Sequence, residues 1–138
     1  MLIRVTEQPI FADQALQALD LSIHGAVVTF MGTVRRYTGD RAVKYLDYEA
    51  YPEMAEAKLR DIALEAKAKF GLEDIAIIHR TCRLHIGETS LVVAVGSAHR
   101  REGFEACLHT VERIKEVVPV WKKEVWDAGS VWVNSEGA

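Results

Sequence analysis

The chain has 138 residues, 49% of them hydrophobic and 27% charged. That is ordinary globular composition, enough for a single domain over residues 1–138 and too short for two. A formal net charge of -3 argues against broad nucleic-acid binding, while leaving room for a local basic pocket.

In chain order, LIRVTE (2–7) reads as a short strand and FADQALQALD (11–20) as a short helix. GAVVTFMGTV (25–34) is nearly continuously apolar and rich in β-formers, the pattern of a buried strand. RRYTGDR (35–41) is a polar loop around Thr-Gly-Asp. VKYLDYEAY (43–51) is a strand leading into a helix from Pro52, whose Ala55, Leu59, Ile62, Ala66 and Phe70 make one apolar stripe; Gly71 stops it. DIAIIHR (74–80) and TSLVVAVGSA (89–98) are strands joined through TCRLHIGE. A third helix runs from about Arg101 to Val118, ended by Pro119. VWKKEVW and SVWVN then form a hairpin turning at Asp127-Ala128-Gly129. The expected fold class is α+β, with three helices and a mainly antiparallel sheet.

No apolar run is long enough to span a bilayer, and the opening MLIRVTEQPIF lacks signal-peptide features. Cys82 and Cys107 stand far apart without a CxxC. The expectation is a cytoplasmic protein with free thiols and no membrane partner. The histidines are scattered without ligand spacing, so no metal is expected.

On the third helix, at about 100° per residue, Phe104, Cys107, Leu108, Val111, Ile114 and Val118 fall in one arc. Lys115 sits inside that arc, whereas Glu105, His109, Glu112, Arg113 and Glu116 fall outside it. A lysine so placed either snorkels out from the last helical turn or stays partly desolvated. In the second case burial and neighbouring cations lower its pKa, making it a candidate nucleophile or proton shuttle near neutral pH.

Two further clusters share that basic character. SAHRRE (97–102) lies where an apolar strand meets a helix start, so His99 and Arg100 stand beside free backbone N–H groups suited to an anion. FMGTVRR (30–36) is an apolar strand emptying through Gly32 into two arginines, of which Arg35 can grip a phosphate in bidentate fashion. Each alone is equally a solvated surface end. Together with Lys115 and the VPVWKKEVW stretch they suggest one anionic ligand met from several sides.

Those stretches carry a family resemblance. GAVVTFMGTVR, YEAYPEMA, IIHR…L.IGE, VAVGSAHR, F.AC and VPVWKKE, in that order over nearly the whole chain, resemble the large, catalytic subunit of molybdopterin synthase. The resemblance implies an α/β hammerhead-type fold with additional antiparallel β-structure, and a homodimer at the centre of a heterotetramer. It implies cyclic pyranopterin monophosphate as substrate and, as sulfur donor, a ubiquitin-like small subunit ending in a Gly-Gly thiocarboxylate. The reaction would install two sulfurs on adjacent carbons of the pterin side ring, forming the dithiolene of molybdopterin in molybdenum cofactor biosynthesis. No cofactor is implied for this step.

By position, Lys115 and Lys122 match the family's two active-site lysines. Arg35, with the Thr33-Val34 backbone before it, matches the substrate-contacting strand end, and His99 with Arg100 the phosphate-binding pair. Lys123 and Glu124 continue the pocket wall after Lys122, and Phe30 falls where an aromatic lies close to the incoming glycine tail. Trp121 and Trp126 are expected as apolar walls of a site with a cationic floor. Cys82 departs from the family, where glycine is frequent, which puts the turn there in question; a lone thiol after a strand is more often structural. The tail holds Glu136 and no arginine, so no contact is assigned to it. A different class stays open on the residues alone: a noncatalytic α+β module that binds an anionic small molecule or a partner's tail.

Overall fold

A computed structural model describes residues 1–133. The elements are β1 (Leu2–Thr6), α1 (Ala12–Leu16), β2 (Ala26–Thr33), β3 (Tyr37–Thr38), β4 (Arg41–Ala50), α2 (Pro52–Phe70), β5 (Asp74–Arg80), β6 (Cys82–His85), β7 (Thr89–Ser97), α3 (Arg100–Val117), β8 (Val120–Trp126) and β9 (Gly129–Val133). One sheet has the order β1-β5-β7-β2, in which only β1 and β5 run parallel. The other is antiparallel, β3-β4-β8-β9, with β6 also on β4. The α+β class, three helices and mainly antiparallel pairing agree with the sequence reading.

Strands β5 and β7 divide two cores. Ile75 and Ile77 face α2 and α3, packing with Leu59, Ile62, Val93 and Ile114. Ala76 and Ile78 face α1, with Ile10, Leu19 and Val92. Burial on both faces is why these strands read as continuous apolar runs rather than as an alternation. Helix α2 begins with Pro52, and Gly71 caps it at φ 63° with its N–H on the Lys67 carbonyl; a side chain at that left-handed position would be strained. Its expected stripe is buried at Ala55, Leu59, Ile62 and Ala66.

Four local expectations are corrected. β2 is an edge strand, with Thr29, Met31 and Thr33 exposed, because nothing pairs its outer side among the described residues. Its apolar run marks a surface as much as a core. The polar loop 35–41 contains β3, which pairs with the start of β4. The connection TCRLHIGE contains β6, whose Leu84 enters a small second core with Val34, Val43 and Leu46. Helix α1 is a single short turn-and-a-half that ends at Leu16.

Helix α3 buries a different face from the one its large residues suggest. Gly103, Ala106, Cys107, Thr110, Val111 and Ile114 face inward, while Phe104 and Leu108 are 64% and 61% exposed. Small residues let the helix approach the sheet: a Cβ on Gly103 would stand 2.8 Å from Ser97 Oγ and 3.2 Å from Val28 Cγ2. Close packing therefore turns the helix onto its small side and leaves the large apolar residues outside.

Candidate active site

Between the two sheets, beneath the last turns of α3, lies a cavity of about 420 Å³. Strand β2 supplies Phe30, Gly32 and Thr33, and Arg35 follows them. Gly32, Leu91 and His79 stand in one cross-strand row on β2, β7 and β5. A Cβ on Gly32 would meet Phe30 Cε1 at 3.3 Å and Ser90 Oγ at 3.4 Å, so glycine there keeps the space open. Helix α3 contributes Val111, Ile114 and Lys115, and β8 contributes Val120, Lys122 and Glu124.

Desolvation shapes the charges. Lys122 falls from the ordinary lysine value to about 8, chiefly through burial, then through the nearby Lys115 charge and, more weakly, Arg35. Lys115 is lowered by burial alone. Both lysines are thus easier to deprotonate than a solvated one, and Lys122 exchanges its proton near neutral pH. Glu124 is 4% exposed; Thr38 Oγ1 donates to its Oε2 at 2.9 Å, and the Arg41 guanidinium stands 3.5 Å from Oε1. Arg41 in turn stacks over Trp126, 4.3 Å from the ring centroid.

The sequence-assigned residues divide. Phe30, Thr33, Arg35, Lys115, Lys122 and Glu124 line the one cavity. Val34 does not: it is 2% exposed in the second core, its N–H donating to the Glu88 carbonyl and its carbonyl accepting from Gly87. Lys123 points the other way, 5.7 Å over the Trp132 ring, because neighbours on a strand face opposite sides. The tryptophan walls are corrected too: Trp121 takes the outer side with Lys123, whereas Trp126 shares the side of Lys122 and Glu124 but stands outside the cavity lining. Trp121 is 48% exposed and meets Tyr51 edge-on, and Trp126 lies under Arg41. The apolar walls are instead Phe30, Leu91, Val111, Ile114, Val118 and Val120. His99 and Arg100 are exposed at the N-terminus of α3. The rise from Arg100 to Lys115 is roughly 22 Å along the helix, so within one chain they do not reach the cavity.

Reading the sequence missed Tyr48, His79, Ser90 and Thr38, which all line the cavity. His79 had a usable signal: with a period of two it shares the core-facing side of β5 with Ile75 and Ile77. The others had none, because they come from the second sheet or from positions that look like ordinary strand polar residues. Cys107 is buried and its thiol is pushed up to about 11, a poor sulfur nucleophile. Cys82 adopts φ 74°, which accounts for glycine being the easier residue there, and it does not line the cavity. The tail residue Glu136 lies outside the described residues.

Comparison with known proteins gives a consistent picture. Residues 5–117 match the model of the MoaE protein family. The chain is 43% identical over 132 residues to a molybdopterin synthase catalytic subunit of Halalkalibacterium halodurans, covering 96% of this chain and 85% of that protein. The X-ray structure of molybdopterin synthase from Staphylococcus aureus superposes with a TM-score of 0.91 at 40% identity, covering 95% of this chain and 96% of that one. A complex of subunits 1 and 2 of molybdopterin-converting factor from Helicobacter pylori superposes with a TM-score of 0.77, covering 94% of this chain and 88% of that one. At 19% identity that last likeness is one of fold.

Proposed function

The chain belongs to the MoaE protein family, that of the molybdopterin synthase catalytic subunits, and from that premise we propose that the cavity beneath α3 is its sulfur-transfer site. The activity is that of a sulfurtransferase in molybdopterin synthesis: sulfur passes from the C-terminal glycine thiocarboxylate of a small ubiquitin-like subunit to cyclic pyranopterin monophosphate, forming the dithiolene. The observation that carries the site is the pair Lys115 and Lys122, two partly desolvated amines from α3 and β8 that line one cavity with Arg35.

Each transfer forms a carbon–sulfur bond as an oxygen, once protonated, leaves as water; hydrolysis then cleaves the bond between that sulfur and the glycine carbonyl, leaving the sulfur on the pterin and a glycine carboxylate on the small subunit. Lys122, with a pKa of about 8, is suited to give and regain that proton near neutral pH. Lys115 steadies negative charge as it develops, in a space lined by apolar side chains that strengthen the interaction. Arg35 offers a fork of donors to the substrate phosphate or to the thiocarboxylate. A glycine tail has no side chain to recognise, so a narrow apolar approach past Phe30 and a cationic end are what it needs.

His99 and Arg100 join this site only from a second copy. Phe104 and Leu108 lie exposed on the same α3 ridge as Lys115. An antiparallel copy of α3 on that ridge covers both and carries its own His99 and Arg100 toward Lys115 of the first chain. This supports a homodimer in which each site is shared, with the small subunit completing a heterotetramer; the Helicobacter pylori complex pairs this fold with a second subunit. Among the described residues no helix is long and apolar enough to cross a membrane, and two free cysteines suit the cytoplasm.

The test is incubation with thiocarboxylated small subunit and the pterin precursor, reading dithiolene product. The wild-type chain gives product, and Lys115→Ala gives none while keeping its fold and dimer. Near-normal turnover by that variant with saturating donor would sink the assignment.

A further inference from the structure

His79 is the one histidine of the cavity wall, at the end of β5 beneath the last turns of α3. It is 6% exposed, and its ring meets Tyr48 edge-on at 5.8 Å between centroids. Its Nδ1 lies 2.9 Å from the Arg80 carbonyl oxygen. A carbonyl only accepts, so Nδ1 carries the hydrogen and, in the neutral ring, the lone pair is on Nε2. Around it the polar groups are largely donors or already engaged. Ser90 Oγ donates to the Gly32 carbonyl at 3.2 Å, and Tyr48 shares a hydrogen bond with Ser90. Glu124 Oε2 accepts from Thr38 Oγ1, while its Oε1 has no hydrogen bond and pairs by charge with Arg41 at 3.5 Å. Arg35, Lys115 and Lys122 bring only N–H groups when charged.

We propose that His79 is a positioning residue for Lys115: with Nδ1 committed to the Arg80 carbonyl, Nε2 offers an acceptor that holds the Lys115 amine, directly or through one water, on the substrate side of the cavity. This deepens the reading of Lys115 as a working amine and rests on it. Burial keeps the ring uncharged, its pKa pushed down to about 4, with the Arg80 bond opposing and the Lys115 charge assisting. The ring therefore stays an acceptor at neutral pH. A protonated ring would instead repel Lys115. The titratable groups facing the same space are Tyr48 from β4, Lys122 and Glu124 from β8, and Arg35 beyond β2; none duplicates a neutral acceptor with a fixed tautomer.

The experiment uses two variants with opposite expectations, assayed with thiocarboxylated small subunit and precursor. His79→Asn keeps a donor at the Nδ1 position for the Arg80 carbonyl and loses the distal acceptor. His79→Gln keeps an acceptor at the Nε2 position and loses the Arg80 bond. The proposal expects kcat to fall on the order of tenfold in His79→Asn with KM unchanged, and to stay near wild type in His79→Gln. The reverse order, or equal losses in both, overturns it and leaves His79 a structural residue. Should neither variant fold, the ¹⁵N signal of His79 Nε2 in the unmutated chain decides, compared with Lys115→Met. A shift of that signal on losing the amine supports the contact, and an unmoved signal overturns it. The spectroscopic arm does not depend on turnover. A shift with full activity in Lys115→Met would therefore fault the role of Lys115 and not the contact.

Discussion

Lys122 and Lys123 are adjacent on β8, share a composition and a strand, and live in different worlds. Lys122 faces the cavity with Glu124 and Val120, where burial and the Lys115 charge draw its pKa to about 8. Lys123 faces the outer side, over Trp132, across from Asp47 on β4. The two sides of this sheet thus reverse the usual expectation, with cations and a carboxylate on the enclosed side and Trp121 and Trp132 on the open one. Reactivity here comes from where the pleat sends a side chain, not from which side chain it is.

The largest expected effect breaks the enclosed side. Lys115→Ala and Lys122→Ala should each lower dithiolene formation by on the order of 10² or more, with melting curves little changed, as read by single-turnover assays. Comparable turnover in either variant would mean that the enclosed lysines are bystanders.

Next is the anion grip. Arg35→Ala should weaken binding of the precursor, measured by calorimetry, by on the order of 1.5–3 kcal/mol, and binding of the small subunit by much less. Arg100→Ala should do the same if a second copy supplies that residue. Phe104→Glu then sharpens the point: it should turn the dimer into monomers on a sizing column and mimic Arg100→Ala. A Phe104→Glu dimer would separate the exposed ridge from the shared site.

The pH dependence of stability is a subtler test of the same side. Because the folded pKa of Lys122, about 8, lies below the ordinary 10.5, the unfolded chain holds that proton more tightly. Its contribution to stability therefore rises as pH climbs from 8 to 10.5 and is flat outside that window. Lys122→Met should remove this rise and be more stable than the parent at neutral pH in denaturant titrations. A parallel pH curve for the two proteins would mean that Lys122 is solvated. The smallest effect belongs to the open side: Lys123→Ala should change product formation by no more than about twofold, since Lys123 stands outside the cavity over the exposed Trp132 ring. A large loss there would show that substrate or partner uses the outer face.

The sequence by itself determined the elements whose residues answer to short-range rules. Pro52 and Gly71 bound α2 because one fits a first helical turn and the other a left-handed cap. The apolar runs of β5 and β7 were legible as strands, and the family words brought Phe30, Thr33, Arg35, Lys115, Lys122 and Glu124 forward together. Only the tertiary structure decided which way these residues face. The face of α3 was set by how closely Gly103 and Ala106 can approach the sheet, a steric fact that hydrophobicity does not rank, and so Phe104 and Leu108 lie outside. The residues that share the cavity with Lys115 come from β4, β5 and β7, distant in the chain; the period of two on β5 turns His79 inward, but nothing local marks its meeting with Tyr48, Ser90 and Lys115. His99 and Arg100 were legible as an anion-binding pair, but the length of α3 keeps them from the cavity of their own chain. Local pattern records what a residue prefers; the pKa of Lys122 depends on which other groups the fold brings to within a few ångströms.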